Sequence, residues 1–351
     1  MDCLARGIQR IKLWLLEGTC KPREVSTTFL ENGSFTFEGL ASATNIKYDT
    51  PFRNFKAKEI IAATSDFREV VMYDGTGRMF RGSFQDRMIL VKTFLRFYSF
   101  VNRDIVVSLL MSRHQNVMRF LGCCLDFKEP VLVYDYTGKH RLLDDILFYR
   151  KETDPWKDAA SFPWKNRLRV ASGVSNAIVY LHTAFLSPII HTNMCTKNIV
   201  VDQFGAAKLF DFSLCVQLPP GETQFVVDTI VGYTGHLAPE YAMTGTITEK
   251  TDVYMFGRLL LVLLTGKRDF FNQDDKWLDL VDYMQDAIDN TELDIVLDPV
   301  NLLERDGKIE DQLKNVAELA LKCTQQKGED RPNMIEVARQ LTSIETSCQL
   351  P

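Results

Sequence analysis

Long apolar runs are missing from this chain. The longest, Leu259 to Leu264, falls far short of the ~18 residues that a membrane-spanning helix needs. A basic excess is missing too: 41 Lys and Arg stand against 46 Asp and Glu, a formal net charge of -5. That balance argues against nucleic acid as the main partner, because no surplus of cations is available to neutralise phosphates. Eight cysteines in 351 residues are too few for a dense disulfide framework, and none stands in a paired CxxC spacing. Reduced thiols in a cytoplasmic protein are the expectation. The glycine that N-myristoylation requires after the first Met is replaced by Asp2. The apolar patch Leu13-Trp14-Leu15-Leu16 is too short for the core of a secretory signal. What remains, 46% hydrophobic and 25% charged residues, is the composition of an ordinary globular protein.

Residues 1–54 read as an N-terminal extension. Within residues 1–20, Leu4, Ile8, Ile11 and Leu15 recur at helical spacing, with Arg6, Arg10 and Lys12 on the other faces. One reading is peripheral contact with an anionic membrane, aided by lipidation of Cys3. The others are a small helix docked on protein, or a frayed tail. From Phe55 the patterning sharpens. Ala57–Thr64 reads as a helix. Glu69–Tyr73, Met79–Phe84, Met88–Phe94, Val117–Leu125 and Val131–Tyr136 read as five strands, with a helix over Asn102–Ser112 between them. Beyond Gly138 the periodicity is helical, over 164–181, 250–264, 278–289, 309–324 and 334–344. The expectation is an α+β chain with a small β-rich lobe over 55–136 and a larger helical lobe over 137–347.

Several short motifs follow one another in a fixed order. They are Asn54-Phe55-Lys56-Ala57-Lys58-Glu59-Ile60, Ile89-Leu90-Val91-Lys92, Leu121-Gly122-Cys123-Cys124-Leu125, Val131-Leu132-Val133-Tyr134, Tyr180-Leu181-His182, His191 to Asn198, Asp211-Phe212-Ser213, Ala238-Pro239-Glu240 and Asp330-Arg331-Pro332. In this order they resemble a eukaryotic protein kinase domain of the plant receptor-like cytoplasmic branch. The resemblance implies a two-lobed kinase fold and weak binding of ATP and magnesium. It places Lys92 on the phosphates, Gly77 at the third glycine of the phosphate loop, and Asn198 and Asp211 as magnesium ligands. It also implies an ion pair between Glu240 and Arg331, and Asp252 as the holder of the catalytic-loop backbone.

Departures from the kinase pattern concentrate where the chemistry lies. Asn193 stands where the family has an Asp that accepts the substrate proton, and a neutral amide cannot act as a carboxylate base. Loss of a general base typically costs ~10²–10⁴ in rate. Cys195 replaces a Lys that would stabilise the transferring phosphate. Thr192 replaces the Arg that would pair with a phosphorylated activation loop. The first two glycine slots of the phosphate loop are Met72 and Asp74, and a carboxylate ~4 Å from a phosphate costs roughly 1 kcal/mol in water and about 4 at an effective dielectric of 20. The Glu that normally pairs with the strand Lys falls on Ile105. Asp104, one residue away, is expected to point about 100° off around the helix and to reach Lys92 only through a register shift. No catalytic residue is therefore expected.

Phe29-Leu30-Glu31-Asn32-Gly33-Ser34 resembles the entry segment of the plant ZED-related kinases, most of them pseudokinases. That resemblance implies an adaptor in plant immunity, binding a nucleotide-binding leucine-rich-repeat (NLR) receptor and receptor-like cytoplasmic kinases, in the cytoplasm or at the plasma membrane. A slow atypical serine/threonine kinase and an ATP-binding conformational sensor are the alternatives.

Overall fold

The computed structural model describes residues 52–73, 76–95, 100–149, 162–232, 235–273, 275–302 and 306–346. The expected amphipathic segment 1–20 with Cys3, the entry segment, Asp74, Gly75 and Tyr233 lie outside the described residues. The described chain divides into two compact units: residues 52–113 with 118–138, and residues 114–117 with 139–346.

The first unit holds a six-stranded sheet in the order β1-β5-β6-β4-β3-β2. Its elements are β1 (Arg53–Asn54), α1 (Ala57–Ala63), β2 (Val70–Tyr73), β3 (Gly77–Phe84), β4 (Arg87–Phe94), α2 (Val101–Met111), β5 (Phe120–Cys124) and β6 (Val131–Asp135). Five strands were expected; the sixth, β1, is two residues that pair parallel to β5, Arg53 opposite Gly122. A Cβ at Gly122 would meet the Arg53 carbonyl oxygen at 1.9 Å, so glycine is what admits β1 to the edge. The expected strand from Val117 shortens to Phe120–Cys124, because Val117 bridges Leu209 in the second unit's own fold. Side chains alternate across β4. Ile89 and Val91 join Phe55, Ile60, Phe127, Val131 and Val133 in a buried apolar cluster. Leu90 and Lys92 point to the opposite face and are fully buried there.

The second unit is helical, with small two- and three-stranded sheets. Its short strands are β7 (Arg141–Leu142), β8 (Ile189–Ile190), β9 (Ile199–Val201), β10 (Ala207–Leu209), β11 (Val216–Gln217), β12 (Phe225–Val226), β13 (Thr246–Ile247), β14 (Phe270–Gln273) and β15 (Lys276–Asp279). Its helices are α3 (Leu143–Phe148), α4 (Trp164–Thr183), α5 (Pro239–Thr244), α6 (Glu249–Thr265), α7 (Leu280–Asp289), α8 (Leu293–Val296), α9 (Pro299–Leu302), α10 (Gly307–Cys323) and α11 (Met334–Thr346). Helix α6 is the axis, buried from Thr251 through Thr265. It starts at Thr248, whose hydroxyl accepts the Lys250 amide while the Thr248 amide donates to Thr251 Oγ1. It ends at Gly266 in the left-handed conformation. One expected boundary is wrong: the helix over 278–289 begins only at Leu280. Leu278 and Asp279 instead pair with Phe271 and Phe270 in a hairpin, and the Asp279 carboxylate caps the helix by accepting the Val281 amide.

Helix α10 packs on α6 at Gly257. A Cβ there would sit 2.7 Å from the Cys323 Cβ and 3.0 Å from the Ala320 carbonyl oxygen. Helix propensity alone would favour Gly257→Ala by about 1 kcal/mol. The atoms it would strike cannot rotate away, and overpacking of this kind costs about 1–3 kcal/mol. Gly257→Ala should therefore be net destabilising, lowering the urea midpoint followed by far-UV circular dichroism.

Candidate functional site

The first unit presents Lys92 on its central strand, opposite Met79 of β3 and Leu132 of β6. Its ammonium lies 2.9 Å from Asp104 Oδ2, with both side chains fully buried. This corrects the expectation that Asp104 points away. Helix α2 starts at Val101, and it buries both Ile105 and Asp104, with Asp104 on the lysine. Asp104 Oδ1 accepts the Ser108 hydroxyl at 3.0 Å, and Ser108 Oγ lies 3.1 Å from the Tyr134 hydroxyl. The Phe94 ring centroid is 4.7 Å from the Lys92 ammonium. A buried charge pair survives only when its remaining hydrogen-bonding capacity is filled, and Ser108 and Tyr134 help fill it here. Both were missed from sequence, although a carboxylate, Asp104, directly ahead of the largely apolar stretch Ile105 to Leu110 was a signal. Gly77 opens β3, and a Cβ there would strike the Thr93 carbonyl oxygen at 1.8 Å. Strand packing thus requires this glycine whether or not phosphate approaches it.

In the second unit, Asp252 at the start of α6 organises the loop over 191–198. Its Oδ2 accepts the His191 amide at 2.8 Å and lies 2.8 Å from His182 Nε2, and its Oδ1 accepts the Thr192 amide at 2.9 Å. Those bonds hold Thr192 at φ 60°, a conformation that β-branched residues rarely adopt. The Thr192 hydroxyl donates to the Leu214 carbonyl at 2.7 Å, a neutral tether where kinases place a cation. The Asn193 carbonyl accepts Asn198 Nδ2 at 2.6 Å. Thr196 donates to Asp144 at 2.6 Å, and Asp144 also receives Arg268 at 3.2 Å, an anchor that sequence reading missed. Cys195 is buried, and burial pushes its thiol up to about 12, so it stays neutral at physiological pH.

Asp211 takes φ 65° and is almost wholly buried. Its Oδ1 accepts the Ser213 hydroxyl at 2.7 Å and the Ser213 amide at 3.3 Å. A glycine at position 213 would supply no hydroxyl, so Ser213 draws on the carboxylate electrons that a cation would use. Asn198, with its amide nitrogen committed to Asn193, retains its oxygen as the natural donor to a metal. Two oxygen ligands suit magnesium, which completes its shell with water and phosphate. Among the described residues no group of three or more His, Cys, Asp or Glu is placed to hold a metal by itself. Asn198 and Asp211 thus fit a cation that arrives with a nucleotide. Bound there, such a cation would neutralise phosphate charge.

The frame around the loop is intact. Arg331 grips Glu240 through two bonds of 2.8 Å and also donates to the carbonyls of Lys250, Gln325 and Gln326. Arg258, Asp269 and Asp279 form a second buried network, with His236 2.9 Å from Asp269. Burial alone would raise the Asp269 carboxyl, but the His236 hydrogen bond and the charges of His236 and Arg258 outweigh it and hold it below the ordinary value.

A six-stranded lobe with a Lys–Asp pair, a loop clamped from the axial helix and a Glu–Arg bond together define a protein kinase domain. The family model described as "Protein tyrosine and serine/threonine kinase" matches residues 72–341. Serine/threonine-protein kinase ZRK1 of Arabidopsis thaliana is 34% identical over 94% of this chain and 96% of its own length. Non-functional pseudokinase ZED1 of the same plant is 35% identical over 90% and 96%, and non-functional pseudokinase ZRK2 is 33% identical over 91% and 90%. The chain belongs to the protein kinase family, among the ZED-related kinases and pseudokinases. Because relatives at equal identity carry both kinds of name, membership does not decide activity; the residues of the loop must.

Asp104→Ala should cost about 3–5 kcal/mol, because it strands a buried ammonium, whereas Lys92→Met with Asp104→Leu should recover most of that loss. Urea unfolding of the two variants against the parent measures both. Cys124, Cys195 and Cys323, each raised to about 12 by burial, should resist iodoacetamide at pH 8 in the native chain and react fully once it is denatured. Peptide mass spectrometry reads the difference.

Proposed function

We propose that this chain is a catalytically inactive kinase that works as an adaptor in plant immune signalling, joining an NLR receptor to receptor-like cytoplasmic kinases. The observation that carries the inactive half is Asn193, set in a well-ordered loop beside a neutral Cys195. The loop is held by hydrogen bonds from the His191 and Thr192 amides to Asp252 and from Asn198 to the Asn193 carbonyl. Relatives named non-functional pseudokinases support the same reading. The adaptor half follows from the ZED-related membership. The activation segment, Leu214 to Gly235 with Thr223, Thr229 and Tyr233 (the last outside the described residues), is the contact region this reading favours. Phe225, Val226 and Ile230 are exposed along it, and Met243 follows on α5 at 81% exposure. Such apolar groups outside the core suit a protein partner. No helix among the described residues is long and apolar enough to cross a membrane. The cytoplasm is the implied location, with residues 1–20 as the contact to the plasma membrane.

Purified chain with radiolabelled ATP and a generic protein substrate should transfer no more phosphate than an Asp211→Ala control. Signal above background that the control loses would reject the inactive reading. Val226→Asp with Met243→Asp should abolish co-purification of the receptor and kinases from plant tissue, and unchanged recovery of both would reject the adaptor surface.

The retained Asn198 and Asp211 favour a second reading, in which Mg-ATP binding sets conformation without transfer. Ser213→Gly relieves Asp211 Oδ1 of a competing hydroxyl and should enlarge the magnesium-dependent thermal shift with ATP. No shift in either protein at millimolar nucleotide would remove the nucleotide from the account.

A further inference from the structure

A groove of about 850 Å³ lies on the first unit, lined in part by Ile89, which faces away from Lys92 on β4. Arg53, Arg87, Arg113 and Arg119 line it, and among the described residues no carboxylate does. The aromatic lining is Phe55, Phe84 and Phe120. Four guanidiniums in one concavity are unexpected on a chain of net charge -5. Arg53 is pre-set: its guanidinium lies 4.5 Å from the Phe84 centroid and 5.0 Å from that of Phe55, and Glu59 fixes it at 2.7 Å. Holding one fork rigid lowers the entropy lost on binding an anion. Arg87 and Arg119 are exposed, and among the described residues neither side chain has a hydrogen-bond or ion-pair partner, so their donors are available.

We propose that this groove docks a phosphorylated serine or threonine segment of a partner protein. The phosphate is taken by Arg87 and Arg119 with Arg53, and a neighbouring apolar side chain rests on Phe84 and Phe120. The chemistry favours phosphate, whose doubly charged oxygens match the planar forks of several arginines. The shape favours a protein segment over a bilayer, because a single side chain enters a concavity whose floor is aromatic, while a flat headgroup layer meets only its rim. The acidic chain as a whole disfavours RNA or DNA. The groove shares no residue with the loop over 191–198, and the inference does not rest on the chain being inactive.

The test uses the full chain and a degenerate library of short fluorescent peptides fixed on phosphothreonine, with the unphosphorylated library alongside. Polarisation should show the phosphorylated library binding at least ~10-fold tighter. Arg87→Glu with Arg119→Glu should erase that preference, and the milder Arg87→Gln with Arg119→Gln should weaken it while circular dichroism remains unchanged. No preference for phosphate in the parent, or the same preference in the folded glutamine variant, overturns the proposal. So does binding to phosphatidylserine vesicles with none to the peptides. A photoreactive benzoylphenylalanine replacing Gln85, which lines the groove, identifies the occupant. Crosslinks to the phosphopeptides support the assignment. Crosslinks only to residues 1–51 of the chain, or only to a second copy, overturn it.

Discussion

One carboxylate, Asp252, holds the loop that gives this protein its character. It is fully buried and takes both loop amides and the His182 ring. A buried carboxylate without partners would be costly to ionise, and these three donors compensate it. In return it fixes a backbone conformation that Thr192 would not choose. The positions of Asn193, Cys195 and Asn198 all follow from that clamp. It works through main-chain groups, so it is indifferent to the side chains it positions. This is why a loop can lose its base and its cation and keep its shape.

Two kinds of residue are therefore separable in the domain. Those that hold the frame, Asp252, Glu240 with Arg331, and Arg258 with Asp269 and Asp279, retain charged hydrogen-bonded partners in the interior. Those that would touch substrate or phosphate have become neutral, as at Thr192, Asn193 and Cys195, or gained a competitor, as at Asp211. A substitution in the first group would leave an unpaired buried charge and endanger folding.

Much of this was legible in the sequence. Helices and strands of strong periodicity appeared where expected, and the Glu240–Arg331 and Asp252 contacts followed from motif order. The Lys92–Asp104 pair was not legible, because motif counting gives a slot and not the rotation of a helix about its axis. Asp104 reaches the lysine from its own register, Ser108 completes its bonds from the next turn of the same helix, and Tyr134 does so from a strand that sequence spacing does not connect to it. The hairpin over 270–279 was hidden for a different reason. Its polar turn carries weak strand propensity, and its pairing depends on Phe271, Leu278 and the anchoring of Asp279 by Arg258. The Ser213 bond to Asp211 was visible as a residue type but not as a geometry.

The two-residue β1 has a consequence at the rim of the sheet. It occupies one border with a stub too short to template another strand, and the border at β2 is broken by a register shift between Val70 and Met72. Neither side offers a long ladder of open amides and carbonyls. The sheet is thereby guarded against recruiting the wrong neighbour through unplanned strand addition and aggregation.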